Sequence, residues 1–389
     1  MSIFSFGKSL NSLTPPINSL FSIMGRTTTQ VIALTLSGLL LTVGIFNSNL
    51  VANAVDQELS LDKPVLEEVN KTLQRIKDKD PNKLESAKLT KNNNNSFISN
   101  QKNLSAEFDL KGRKVKISNK TKGDTTIFTP NIIGLDSVNV IDNKVVYSGK
   151  DAKADVVVEA IDGGVRQVIN IKSSDAPSSY DFPIELTSEE KLVLNEDGSA
   201  MVTKPLITEE KNTIPKDLPR GVKIPNFSTK LYIAKPWAKD ANGKDLKTNY
   251  TINGNTLTQK IELAGAVFPV VADPSVCGNV INSVSWGWNG NLRSLSVNPT
   301  GCGRFIALNP YTVGFNFWFM WGELYDKTPY DSYWNYVERA YGTSKYWSMY
   351  DQYICHLNLS TTFKGTYNLE PTRPNVGLSA VIGATCNPN

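Results

Sequence analysis

The sequence predicts a multidomain, mainly-β protein in which a sandwich-like middle domain precedes a small disulfide-stapled α+β domain. Three observations predict it. Short runs rich in β-branched residues recur between about residues 103 and 275, separated by turn residues, as in antiparallel sandwiches. All four cysteines, Cys277, Cys302, Cys355 and Cys386, lie beyond residue 275. Six of the seven tryptophans lie there too.

The N-terminus predicts export. Val31 to Phe46 form an apolar run preceded by Lys8 and Arg26 and followed by Ala52-Asn53-Ala54. That is the three-part plan of a secretory signal over residues 1–54, with cleavage after Ala54. Met24 gives a more ordinary start than Met1, because nearly 30 residues otherwise precede the apolar run. The alternative, a retained anchor, needs roughly 20 apolar residues to span a bilayer, and this run is shorter. No later stretch is long enough to span once the signal is removed. The expected location is extracellular and bacterial, with or without association with the envelope.

Residues 55–102 read as a helix and a flexible linker. Leu66, Val69, Leu73 and Ile76 recur at helical spacing. Glu67 and Glu68 fall in the expected first turn, Arg75 and Lys77 near the end, and Asp80-Pro81 stops the helix. Asn92-Asn93-Asn94-Asn95 supplies the linker.

Residues 103–275 read as strands. Val156 to Ile161 and Val165 to Ile171 flank Asp162-Gly163-Gly164. The glycines accept the positive φ of a tight hairpin. Lys191 to Leu194 and Ala200 to Val202 flank Asn195-Glu196-Asp197-Gly198 in the same way, and Asn242-Gly243 and Asn253-Gly254 mark further turns.

Residues 276–389 read as α+β. Val280, Val284, Trp286 and Trp288 precede Asn289-Gly290, and Leu292 to Val297 follow. Alternation about such a turn predicts a hairpin. Asp331 caps one expected helix, to Tyr341. Ser344 caps another, with Tyr346, Trp347, Tyr350, Ile354 and Leu357 at helical spacing. Asn368-Leu369 and Val376 to Ile382 are expected to be extended. An even cysteine count in an exported chain reads as disulfides. Four cysteines allow three pairings, of which Cys277–Cys302 and Cys355–Cys386 close the shorter loops.

Two sets of residues resemble known patterns. Ser174 to Tyr180, Pro236-Trp237-Ala238-Lys239-Asp240-Ala241-Asn242-Gly243 and Val267-Phe268-Pro269-Val270-Val271-Ala272-Asp273-Pro274 together resemble a module of exported Gram-positive proteins that precedes unrelated C-terminal domains. Asp351-Gln352-Tyr353-Ile354-Cys355-His356, Lys364 to Pro374 and the terminal Cys386-Asn387-Pro388 resemble a bacterial domain family of unknown function. That family usually has tryptophan where this chain has Tyr367, and a bulky aromatic near Thr372. The resemblance implies secretion and brings no activity with it.

The chemistry is sparse. The chain lacks H-E-x-x-H, G-x-S-x-G and a phosphate-cradling glycine loop, and His356 is its one histidine. A histidine-based nucleophile system therefore has to use His356, beside a cysteine expected to be oxidised. The alternative is a packing histidine. Glu370 and Arg373 bracket Pro371-Thr372 and either grip a polar ligand or pair with each other. The acids Glu323, Asp326, Asp331, Glu338, Asp351 and Glu370 show no spacing that singles out a glycosidase pair. No C-x-x-C occurs, so no metal site is expected, and no cofactor is implied. With 41 Lys+Arg against 37 Asp+Glu, the net charge of +4 does not mark a nucleic-acid binder. The densest aromatic run, Phe315-Asn316-Phe317-Trp318-Phe319-Met320-Trp321, nominates Phe315, Phe317, Trp318, Phe319 and Trp321 for binding if they are exposed rather than buried.

These readings point to a secreted, non-enzymatic binding or envelope-associated protein whose partner is a surface carbohydrate, lipid or protein. Two alternatives stand beside it. One is an antibacterial precursor that releases its C-terminal domain near residue 275. The other is a hydrolase using His356 or acidic residues.

Overall fold

Two antiparallel sheets sharing one apolar core make up the middle of the chain in the computed structural model, which describes residues 63–79, 84–206, 226–307, 324, 344–359 and 365–389. Helix α1 (Lys63–Lys79) comes first. Strands β1 (Thr90–Asn93), β2 (Ser96–Asn100), β3 (Leu104–Asp109), β4 (Lys114–Asn119), β5 (Gly123–Phe128), β6 (Ser137–Ile141), β7 (Lys144–Ser148), β8 (Ala154–Ile161) and β9 (Gly164–Ile171) follow. Next come β10 (Ser179–Glu185), β11 (Lys191–Leu194), β12 (Ala200–Pro205), β13 (Phe227–Ile233), β14 (Trp237–Lys239), β15 (Thr248–Asn253), β16 (Thr256–Ile261), β17 (Val270–Asp273) and β18 (Ser275–Cys277). The C-terminal part holds β19 (Ile281–Asn289), β20 (Leu292–Pro299), α2 (Gly301–Ala307), α3 (Ser344–Leu359), β21 (Tyr367–Leu369) and α4 (Leu378–Gly383).

Among the described residues, the first sheet has eight strands in the order β1-β2-β3-β4-β5-β10-β16-β15, and the second has ten, with β11-β12-β13-β18-β9-β8-β7-β6 as its main path and β17 joining β9 to β14. Period-two alternation sets their facing: on β3, Leu104, Ala106 and Phe108 are buried between half-exposed neighbours. They pack with Val156, Val158, Ile169 and Leu231 of the second sheet in one cluster.

Strands β8 and β9 are buried at every position, on both faces. Helix α1 covers part of the outer face: Ile76 packs with Val146, Val157, Val168 and Val271. Asn170 Nδ2 donates to Thr72 Oγ1 at 3.1 Å. The cross-strand neighbours Glu159 and Arg166 form a buried ion pair on that face, Arg166 Nε donating to Glu159 Oε1 at 2.7 Å. Ser86 Oγ donates to the other carboxylate oxygen, and Lys144 Nζ lies 3.5 Å from it. A further apolar cluster continues from Ile161, Met201 and Tyr232 of the second sheet to Leu295, Trp347 and Tyr353. The described residues all belong to one compact unit.

The expected hairpins form about their glycines: Gly163 has φ 91°, Gly198 87°, Gly254 56° and Gly290 59°. Both expected disulfides, Cys277–Cys302 and Cys355–Cys386, are present. Ser344 begins a helix as expected, and Trp347, Tyr350, Ile354 and Leu357 on it are buried. Three expectations are corrected. The run Asn92 to Asn95 is not a linker but the β1–β2 hairpin, because Asn95 N–H closes on Asn93 Oδ1 at 2.8 Å in an Asx turn and the flanking residues pair. Val376 to Ile382 is not extended throughout, since α4 starts at Leu378 with the Ala380 and Val381 N–H groups both on Gly377 O. Helix α1 begins at Lys63, so no acid sits in its first turn, although Lys77 and Lys79 close its last. The signal segment 1–54, the run Phe315 to Trp321 and the helix expected from Asp331 to Tyr341 lie outside the described residues. Among the described residues, no helix is long and apolar enough to cross a membrane.

Candidate functional site

Helix α3 places the residues of the Asp351–His356 pattern on successive faces. Gln352, fully buried, binds the backbone of Glu370 from both sides: Glu370 N–H donates to its Oε1 at 2.9 Å and its Nε2 donates to Glu370 O at 3.1 Å. The side chain thus replaces a strand partner, since its amide carries a donor and an acceptor side by side. One turn earlier, Ser348 Oγ donates to Arg373 O at 3.1 Å. Cys355 is tied to Cys386 and contacts Val381 in a small cluster of its own. Tyr353 is buried in the main cluster of this domain.

The Glu370 carboxylate is fully buried. Arg373 Nε donates to its Oε2 at 2.8 Å, and Asn289 Nδ2 donates to its Oε1 at 2.9 Å. Ser294 Oγ lies 3.4 Å from Oε1. Arg373 Nη1 also donates to Pro388 O at 3.1 Å. One acid therefore joins the hairpin, the Pro371–Pro374 turn and the C-terminus, which is a positioning role.

His356 is buried and stacks on Tyr367, with ring centroids 5.3 Å apart and planes 2° apart. Arg304 of α2 covers Tyr367, its guanidinium carbon 5.3 Å from the ring centroid, and Nη1 donates to the phenol oxygen. Burial raises the Tyr367 phenol above its ordinary pKa, with Arg304 opposing. The sequence candidates thus separate: Glu370 and Arg373 form one pair, while His356 belongs to an aromatic stack. Burial raises Asp351 from 3.8 to about 6.

The hairpin β19–β20 holds what sequence reasoning passed over. Trp286 and Trp288 share one face, opposite Leu295 and Arg293. The Arg293 guanidinium carbon lies 5.6 Å from each tryptophan ring centroid, a cation–π bridge along the strand. Trp288 is nonetheless 68 % exposed, and Leu292, on the opposite face of the tip, is 36 % exposed. The signal was present in the sequence: alternation beside Asn289-Gly290 puts Trp288 one residue from the turn, at the open end of the hairpin.

Two other features offer less. An open groove of about 960 Å³ lies against the eight-stranded sheet and includes Asn93, Glu107, Lys111 and Lys116. Its charges are partly satisfied locally: Lys116 pairs with Asp124 at 2.6 Å, and Asn92 Nδ2 donates to Glu107 at 2.9 Å. Among the described residues, no cluster of three or more His, Cys, Asp or Glu could hold a metal.

Residues 281–389 match the model of a family described as a protein of unknown function, DUF2599. The match begins at the first residue of β19 and ends at Asn389, bearing out the expected C-terminal domain of unknown function. No curated protein and no solved structure matches the chain.

Proposed function

We propose that the chain is an exported, non-enzymatic binding protein of the cell envelope, with the β-rich part carrying a C-terminal recognition domain. One observation supports this most. The side chains that carry the family pattern (Gln352, Cys355, His356, Glu370, Arg373) are engaged in internal bonds and stacking, while Trp288 projects into solvent from a braced hairpin. A buried ion pair and a stacked histidine suit a scaffold rather than acid–base chemistry on a substrate.

Release of the C-terminal domain near residue 275 is the weaker reading. Every residue from 271 to 280 is buried, and β18 is hydrogen-bonded between β13 and β9. A protease reaches that bond only after the ten-stranded sheet opens.

The test is fractionation of a bacterial host expressing the full chain, followed by intact mass measurement. A single species beginning at Val55, recovered in the medium or on washed envelopes, is expected. Retention in the cytoplasm, or a free fragment starting near residue 275, would contradict the proposal.

A further inference from the structure

We infer that the tip of the β19–β20 hairpin, Trp288 to Arg293, docks on the interface of an anionic lipid bilayer; this rests on the reading of the chain as an envelope-binding protein. Trp288 is 68 % exposed and Leu292 is 36 % exposed. They stand on opposite faces, because Trp288 is paired with Arg293 and Leu292 with Asn289. A flat ligand that stacks on one face covers only one of them. A medium that surrounds the tip covers both, and the headgroup–acyl boundary is such a medium.

The side-chain types fit that boundary. Tryptophan, with an apolar body and one N–H, is the residue enriched at membrane interfaces. Arg293 follows Leu292 directly and is held over Trp286 and Trp288. With the rings at the acyl boundary, its guanidinium, with Nη1 3.4 Å from Gly287 O, brings a positive charge to the depth of lipid phosphates. The charge is complementary as well: from Ile281 to Pro299 the hairpin contains Arg293 and no acid.

The tip is also held stiff. At its base, Asn289 Nδ2 is tied to the buried Glu370 at 2.9 Å, and β20 is paired with β21 on its far side. A pre-set loop loses little conformational freedom on docking. Gly290 carries the positive φ of the turn, 59°, with open space around it.

The experiment is co-sedimentation of residues 55–389, which retain the whole compact unit, with vesicles of equal parts phosphatidylglycerol and phosphatidylcholine, and with phosphatidylcholine alone. Binding to the anionic vesicles is expected, weakened at ~1 M salt where the screening length falls to about 3 Å. Trp288→Ser and Leu292→Ser are each expected to lower the partition coefficient several-fold, and together about tenfold or more, because interfacial binding scales with inserted apolar area. Arg293→Gln should remove the preference for anionic lipid. Circular dichroism confirms that each variant is folded. Equal binding to both vesicle types, no binding, or full binding by the folded double variant overturns the inference. Binding to washed envelopes without binding to lipid vesicles overturns it in favour of a glycan or protein partner, and leaves the envelope reading standing. Loss of both overturns the two together.

Discussion

Hairpins β8–β9 and β19–β20 share a local design and differ in what covers them. Each turns on a glycine of positive φ, and each sets an arginine directly across the ladder from a functionally telling partner: Arg166 from Glu159, Arg293 from Trp288. In the first hairpin every strand residue is buried, and Arg166 spends its charge on a carboxylate. In the second, Ile281, Leu295 and Val297 are buried toward the base, the tip is open, and Arg293 lies along two indole rings. The same local physics builds a keystone in one place and a contact surface in the other. The difference is decided by α1 and the Leu84–Leu89 segment over the first, and by solvent around the second.

The largest expected effect breaks the keystone. Arg166→Ala leaves the fully buried Glu159 without its main partner, with only Lys144 and Ser86 beside it, and is expected to destabilise by about 3–5 kcal/mol in urea unfolding. The corresponding change at the exposed hairpin, Arg293→Ala, is expected to cost under about 1 kcal/mol. Similar values for the two would erase the distinction drawn between them.

The turns sharpen the comparison. A Cβ on Gly163 would lie 2.2 Å from Asn279 O and 2.6 Å from Thr300 Oγ1, at φ 91°. On Gly290 it meets nothing within 4 Å, at φ 59°. Gly163→Ala is expected to cost roughly 3 kcal/mol or more, combining backbone strain with displacement of the packed connections at Asn279 and Thr300. Gly290→Ala should cost about 1 kcal/mol, the left-handed backbone penalty alone. Equal losses would mean that the first turn is free to move away from its neighbours.

What the sequence made legible follows the same division. Hairpins, α3 and both disulfides rest on local signals: glycines at turns, 3.6-residue spacing, short cysteine loops. The partners of buried charges do not. Asn289 meets Glu370 from 81 residues away, and no local pattern marks that pairing. Gln352 is equally opaque, since its role as a strand partner exists only once β21 is docked. The Asn92–Asn95 run misled because asparagine serves both linkers and Asx turns, and the choice lies with the strands on either side. Tyr367 is no more legible: its phenol oxygen accepts from the Arg304 guanidinium 63 residues away, a role that an indole, a donor only, could not take.

A smaller expected effect concerns pH. Burial raises Asp351 from 3.8 to about 6. The folded state therefore holds a proton that the unfolded chain has released between those values, so this group's contribution to stability falls as pH rises through that window. Asp351→Asn is expected to raise stability at pH 7 by about 1 kcal/mol, after allowance for solvent screening of a part-exposed group. The gain should vanish by about pH 4. A gain that persists in acid would assign it to something other than the carboxylate charge.

The smallest expected effect on stability is at the tip itself, and it carries the account. The measurement is Trp288→Ser in the chain from Val55, read in parallel by urea unfolding and by partition onto anionic vesicles. An unfolding free energy within about 0.5 kcal/mol of the parent and a several-fold loss of vesicle binding are expected. A variant that loses stability while binding as before would contradict this, and would return Trp288 to the core.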